Sequence, residues 1–498
     1  MAPETRAEST GYRETSLHRH VMEFLGEVDK RDLALSSFGT SPGGRDMPLV
    51  VMSAHGVKTP DEARRAGLPI VLVINGIHAG EVEGKEASMM LMRDLQRDHR
   101  DLLAQMTLVI VPLFNPDGND AVDPANRKLN LPKLEGQIGP ALVGTRVNAK
   151  GINLNRDYMR QQSGEMRALQ SRVAQVWQPD LTIDTHATNG SVHRMQMTYD
   201  VPHTIASGRA EPIRYMREQM MPAVTTALTQ HQVIAGWYGN FVEDERALDA
   251  RADADPDAPV REGWMTYTHH PRFGSNYRGL TNRLDLLLEC YSYLEYPERV
   301  RTTYATLLEA FRYVAAHRDD VMQVVAQSRA PRDQIAVRYK LDAFDAPITI
   351  PTRTPRTPDG APSEVAVRYF GNFTGTKIVA RPPAYLVPAE LAEHLERHGL
   401  RTEAASGEVA AEIATVTGFG SEGGRKILES ASVGDLHVQW QRATRRAPAG
   451  SRLVRTDHPL AAIAVYLCEP ESDDSAIENG IVAAPDLGGE IPVWRITE

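Results

Sequence analysis

Five apolar residues in succession, Ile70 to Ile74, stop abruptly at Asn75-Gly76. So short and uniformly apolar a run reads as a strand buried on both faces, which is the pattern of a parallel sheet covered by helices. Just past the stop stand His78 and Glu81, and the stretch from Val82 to Leu95 follows with helical spacing, placing Ala87, Met90, Leu91 and Leu95 on one face. An imidazole and a carboxylate at i and i+3 can point the same way from the end of a buried strand. Ligand sites of α/β sheets gather at such carboxyl ends. Mixed nitrogen and oxygen donors on one side suit a divalent ion, zinc above all.

A second β-branched run, Leu181 to His186, also ends on a histidine, and Ala187-Thr188-Asn189-Gly190 then turns the chain. With 16 histidines in the chain a strand-end histidine is weak evidence by itself. Added to the first pair it completes two imidazoles and one carboxylate, a set that leaves a coordination position open, as catalytic rather than structural zinc requires.

Between these runs lies a third apolar strand, Val109 to Leu113, followed by Asn115-Pro116-Asp117-Gly118. After a polar loop comes Arg146, then Asn153-Leu154-Asn155-Arg156-Asp157. In this order of motifs the chain resembles the zinc carboxypeptidase (metallocarboxypeptidase, carboxypeptidase A-like) family, over roughly residues 15 to 325. The opening Phe38-Gly39, Ser41 and Gly43-Gly44-Arg45 are similar to that family's early glycine-arginine turn. Leu284 to Tyr291 fits the family's late strand, with Glu289 at the end of an apolar run, where a carboxylate is costly to bury without a task or a partner.

The resemblance implies one zinc ion per chain, held by His78, Glu81 and His186. Glu289 would be general base and then general acid, and Arg146 would face the carbonyl oxygen as it becomes an oxyanion. Asn155 and Arg156 would grip the substrate's terminal carboxylate, a task suited to a planar guanidinium. Of two candidates for the tyrosine that closes over substrate, Tyr267 has the better spacing from Glu289, and Tyr277 is its rival. Many family members carry an Asp where this chain has Asn153; an amide there still accepts the imidazole N–H but leaves the ligand less basic. Gly274 falls near the expected floor of the side-chain pocket. Arg272, Arg278 and Arg283 read as solvated arginines.

The function implied is hydrolysis of the C-terminal peptide bond of a peptide with a free carboxylate. One alternative is a zinc-dependent deacylase of the same fold acting on N-acyl amino acids; another is a carboxylate-binding protein without catalysis. The Asn-Pro-Asp-Gly motif and the strand to Glu289 favour the peptidase, and a pure binding module has no need of a general base.

Composition frames this reading. The net charge of −10 and the lack of a basic cluster argue against nucleic acid, and no apolar run approaches the ~20 residues that span a bilayer. Two cysteines, Cys290 and Cys468, rule out a disulfide framework. Met1 to Arg13 holds no signal-peptide core, so the chain as written is expected in the cytoplasm, while one trimmed of a leader for the periplasm or for secretion would read the same.

The expected architecture is α/β: a mixed central sheet with helices on both faces over residues 15–328, then a smaller strand-rich domain of unassigned role over 332–498. Glu165–Trp177, Pro212–His231 and Pro297–His317 are the helical stretches; Glu243 to Pro259 reads as a loop and Thr349 to Pro362 as an extended linker. Beyond it, Glu364–Tyr369, His437–Trp440 and Ala461–Leu467 read as strands, with one helix at Pro388–His398.

Overall fold

The computed structural model describes residues 2–242, 263–420 and 435–497; the loop expected over Glu243 to Pro259 lies outside them. The first seven strands are β1 (Leu33–Thr40), β2 (Asp46–Met52), β3 (Ile70–Asn75), β4 (Thr107–Val111), β5 (Leu181–Thr188), β6 (Met197–Asp200) and β7 (Ala235–Trp237). Next come β8 (Asn240–Val242) and β9 (Gly263–Met265), which pair elsewhere, and then β10 (Leu284–Tyr291). An eight-stranded mixed sheet runs β1-β2-β4-β3-β5-β10-β6-β7. Its middle four strands, β4, β3, β5 and β10, are mutually parallel. All six residues of β3 and all eight of β5 are buried, as a strand with helices on both faces requires.

Helices cover the sheet at Glu83–Asp98, at Gly164–Trp177 and Ala210–His231 (each interrupted by a π-turn), and at Tyr296–Ala316. The helix after β3 departs from the one-faced pattern read in the sequence. Glu83, Lys85 and Glu86 are buried along with its apolar face. Each has a partner: Arg299 Nε stands 3.3 Å from Glu83, Lys85 donates to Asn119, and Glu86 accepts from the Ser16 N–H at 2.6 Å. Burial without such partners would cost several kcal/mol per charge.

Beyond the helix Arg318–Gln327 come β11 (Gln334–Ala343), β12 (Ile348–Thr354) and β13 (Ala361–Ala380). β13 pairs with β11, β12 and, in parallel, with β9, so residues 263–265 join a sheet made mostly by the last third of the chain. The final sheet holds β14 (Ala384–Val387), β15 (Thr402–Ala404), β16 (Glu408–Gly420), β17 (Asp435–Arg446), β18 (Arg452–Arg455) and β19 (Glu490–Ile496). The expected boundary at 328–332 falls between a helix and β11, yet one apolar cluster runs across it, from Tyr158, Met159 and Tyr277 to Leu391, Leu395 and Val465.

Two readings are corrected. Thr349 to Thr354 is strand rather than linker, because Ile350 buries its side chain and the Thr-rich remainder suits a strand. Ala461–Cys468 is a helix buried on every side, and an apolar run of that length carries no period to tell helix from strand. Both cysteines are buried and unbonded to each other. No helix among the described residues is long and apolar enough to cross a membrane.

Candidate active site

The site lies at the carboxyl ends of β3, β5 and β10. β3 stops at Asn75, and Gly76 takes a φ of 70°, which favours glycine, to swing the chain towards His78. Register then fixes the other groups: His186 of β5 lies directly opposite Glu289 of β10 on a parallel neighbour. The early glycine-arginine turn and the Asn-Pro-Asp-Gly motif turn out to hold each other. Ser41 Oγ and the Gly43 N–H each donate to Asp117 at 2.8 Å, and Arg45 bridges Asp117 and Asp120. A Cβ on Gly43 would lie 2.3 Å from Asp117 Oδ1.

His78, Glu81 and His186 converge. His78 Nδ1 is 3.1 Å from Glu81 Oε1, His186 Nδ1 is 3.0 Å from Glu81 Oε2, and the two Nδ1 atoms are 3.2 Å apart. Four-coordinate zinc with bonds of about 2.0–2.1 Å separates its donors by about 3.3 Å, and the three separations, which run through both Glu81 oxygens, are near that spacing. All three residues are buried, and the donor set fits zinc. Burial, aided by the Arg146 charge and opposed by Glu81, lowers the His78 pKa to about 4, so it is a neutral ligand at pH 7. Burial would raise Glu81, but the Arg127 charge and the hydrogen bonds with His186 and His78 outweigh it and hold its pKa well below the usual carboxylate range.

Two guanidinium groups face the cluster. Arg146 Nη1 lies 3.1 Å from His78 Nδ1 and 3.7 Å from Glu81 Oε1, on a half-exposed side chain. Arg127, which the sequence reading missed, donates to Glu81 Oε1 at 3.0 Å, to Ser292 Oγ at 3.1 Å and to Gln137 Oε1 at 2.6 Å. A loop arginine carries no periodic signal, so nothing local separated it from solvated ones. Glu289 has its carboxyl pKa raised, by burial first and by the Glu81 charge, against the pull of His186 and both arginines.

The expected carboxylate grip sits to one side. Asn155 Oδ1 accepts from the Gly274 N–H at 2.9 Å, and the Arg156 guanidinium lies 3.6 Å over the ring of Phe273. Tyr267 stacks between His203 (4.4 Å between centroids) and Phe273 (5.9 Å), its buried hydroxyl without a hydrogen-bond partner among the described residues. Its rival Tyr277 is turned into the core, where its hydroxyl meets His398 Nδ1 at 2.8 Å. Gly274 faces Tyr158 and Arg278, either of which a Cβ would meet at 2.8 Å, so close packing accounts for its lack of a side chain.

Two of the supposedly solvated arginines are buried. Arg278 bonds Asp184, Asp285 and the Tyr158 hydroxyl, and Arg272 grips Asp474. Nearby, His269 Nε2 lies 2.6 Å from Asp473 Oδ2, with His270 stacked on its ring.

Residues 20–193 match the zinc carboxypeptidase family model. The chain is 22% identical over 489 residues to carboxypeptidase 2 of Trichophyton tonsurans, covering 92% of this chain and 81% of the relative. It is 23% identical over 491 residues to carboxypeptidase 2 of Trichophyton rubrum, with the same coverage. Among solved structures, the metallo-carboxypeptidase from Burkholderia cenocepacia has 19% identity and a TM-score of 0.41, covering 60% of this chain and 69% of that one. Carboxypeptidase A from Helicoverpa armigera has 14% identity and a TM-score of 0.40, covering 62% and 75%.

Proposed function

We infer that this chain, which matches the zinc carboxypeptidase family model over residues 20–193, removes the C-terminal residue of peptides at the His78–Glu81–His186 centre. The observation that carries the reading is two imidazole Nδ1 atoms 3.2 Å apart, each within 3.1 Å of a Glu81 carboxylate oxygen, with Glu289 in register beside His186. Bound zinc supplies a Lewis acid that polarises the scissile carbonyl and acidifies water.

The protein's own groups do the rest. Glu289, raised in pKa and adjacent to the centre, takes the proton of the attacking water and delivers it to the leaving amine. Arg146 has the exposure and the aim to meet the oxyanion, whereas Arg127, committed to Glu81, Ser292 and Gln137, braces the carboxylate ligand. Arg156, on its Phe273 platform and with Nη1 donating to the Asn155 carbonyl at 2.8 Å, would turn its guanidinium charge to the substrate's terminal carboxylate. Tyr267, one ring away from that platform, supports the closing role better than Tyr277, whose hydroxyl is engaged in the core.

Mass spectrometry of a mixed pool of peptides and N-acyl amino acids, with and without a zinc chelator, tests the reading. Chelator-sensitive loss of single C-terminal residues is expected. Cleavage confined to N-acyl amino acids would replace the peptidase by a deacylase.

A further inference from the structure

We propose that Asp184, locked by Arg278, is the positioning carboxylate of this metal centre, and that it acts on His186 rather than on His78. The inference rests on the assignment of both histidines as ligands.

Both imidazoles turn Nδ1 towards the cluster and Nε2 outwards. Behind His78, Nε2 lies 3.2 Å from Asn153 Oδ1. That amide oxygen is shared, since it also accepts the Asn155 N–H at 3.0 Å, and the Asn153 Nδ2 is buried with no partner among the described residues. Behind His186, Nε2 lies 3.2 Å from Asp184 Oδ1. The pair stands at ion-pair distance, and neither atom has a hydrogen-bond partner among the described residues. Strand alternation puts 184 and 186 on one face of β5, so this juxtaposition is built into the backbone.

The other carboxylate oxygen is occupied: Arg278 Nη2 donates to Asp184 Oδ2 at 2.9 Å. Arg278 is in turn fixed by Asp285 and by the Tyr158 hydroxyl at 2.8 Å. All of these groups are buried. Asp184 therefore cannot swing to a different partner, and Oδ1 is left to His186. An imidazole that donates to a carboxylate is a more basic ligand, and its ring orientation is set before the metal arrives. The amide at 153 does less for His78 on both counts. The centre thus has one strongly backed histidine and one weakly backed one, with the anionic support on the strand-end ligand.

The test is the zinc dissociation constant by chelator competition, which needs no turnover, on the full chain and three variants. Asp184→Asn should weaken zinc roughly 10–100-fold. Asn153→Asp should bind more tightly than the parent, because a carboxylate now backs His78 too. The double variant should return to within about threefold of the parent, since each backing contact is worth a similar factor. Such recovery is something that a merely structural defect at position 184 would not show. Parent-like affinity in Asp184→Asn, or a double variant as weak as Asp184→Asn, overturns the proposal. Should Asp184→Asn not fold, Asn153→Asp carries the test alone, and unchanged affinity there overturns it. Failure of the parent chain to bind stoichiometric zinc would refute the metal centre itself, a distinct result.

Discussion

Replacing Asp474 by Asn should damage a site to which Asp474 contributes no atom. Asp474 is fully buried and accepts from the Arg272 backbone N–H at 2.9 Å and from Arg272 Nε at 2.8 Å. Burial outweighs the guanidinium and lifts the Asp474 carboxyl to about 6, so at pH 7 the pair is still ionised. The amide keeps the volume but strips Arg272, itself buried, of the charge that its Nε meets. Removing one partner of a buried pair costs about 3–5 kcal/mol. For a chain of 498 residues the unfolding entropy near the midpoint is about 1 kcal/mol per kelvin, so the melting temperature should fall by about 3–5 °C if unfolding is cooperative. Function should suffer as well, because Arg272 adjoins Phe273, the ring beneath Arg156. A shift of about 1 Å in such a platform lowers kcat/KM by up to roughly a hundredfold. Calorimetry, steady-state kinetics on a C-terminally free peptide and a zinc assay check this together. Zinc content should be unchanged. Parent-like melting and kcat/KM would refute the claim that the last third of the chain holds the grip in place.

Glu289→Gln should retain zinc and lose about 10²–10⁴-fold in kcat, measured on metal-loaded protein; parent-like turnover would remove Glu289 as general base. His186→Ala, by contrast, should lose zinc and activity together. Arg156→Ala should raise KM roughly 10–100-fold for free peptides, with little change for C-terminally amidated ones, and equal effects on both would undo the grip. Lys85 titrates in a stability measurement: burial lowers its pKa to about 8 from an ordinary 10.5. Between those values the unfolded chain binds the extra proton, so folding stability attributable to Lys85 rises with pH, by up to about 3 kcal/mol. The difference in unfolding free energy between the parent and Lys85→Met should show that rise between pH 8 and 10.5, and a flat difference would reject it.

The features most legible in the sequence were those with a period or a stop. The buried strand Ile70–Asn75 and the run to Glu289 announce themselves by apolar continuity, and their carboxyl ends put three candidate site residues, His78, Glu81 and Glu289, within reach of sequence reasoning. The Gly-Arg turn and the Asn-Pro-Asp-Gly motif were visible as motifs, but their mutual grip depends on a contact across 72 residues or more, which no local pattern encodes. Arg127 and Arg146 are both loop arginines, and only the fold tells which one is committed to Glu81. Asp184 was legible in principle: two positions before a strand-end histidine, it shares that histidine's face. Arg272 and Arg278 were misread because single-sequence reasoning gives an arginine its default, solvent, and cannot see Asp474 and Asp184 arriving from elsewhere in the chain. The helix Ala461–Cys468 failed for a related reason, since a segment apolar all round has no face to betray its period.

The pairing of Arg272 with Asp474 spans 202 positions of sequence, and synthesis delivers those positions in order. At about 5–20 residues per second, the nascent chain waits roughly 10–40 s between the two. At the start of that interval β3 and β5 are already made and β10 follows soon after, while the segment beneath Phe273 still lacks its anchor. His398, which receives the Tyr277 hydroxyl, arrives late as well. Translation order therefore completes the proposed ligand set at His78, Glu81 and His186 well before the anchor of the proposed carboxylate grip is made.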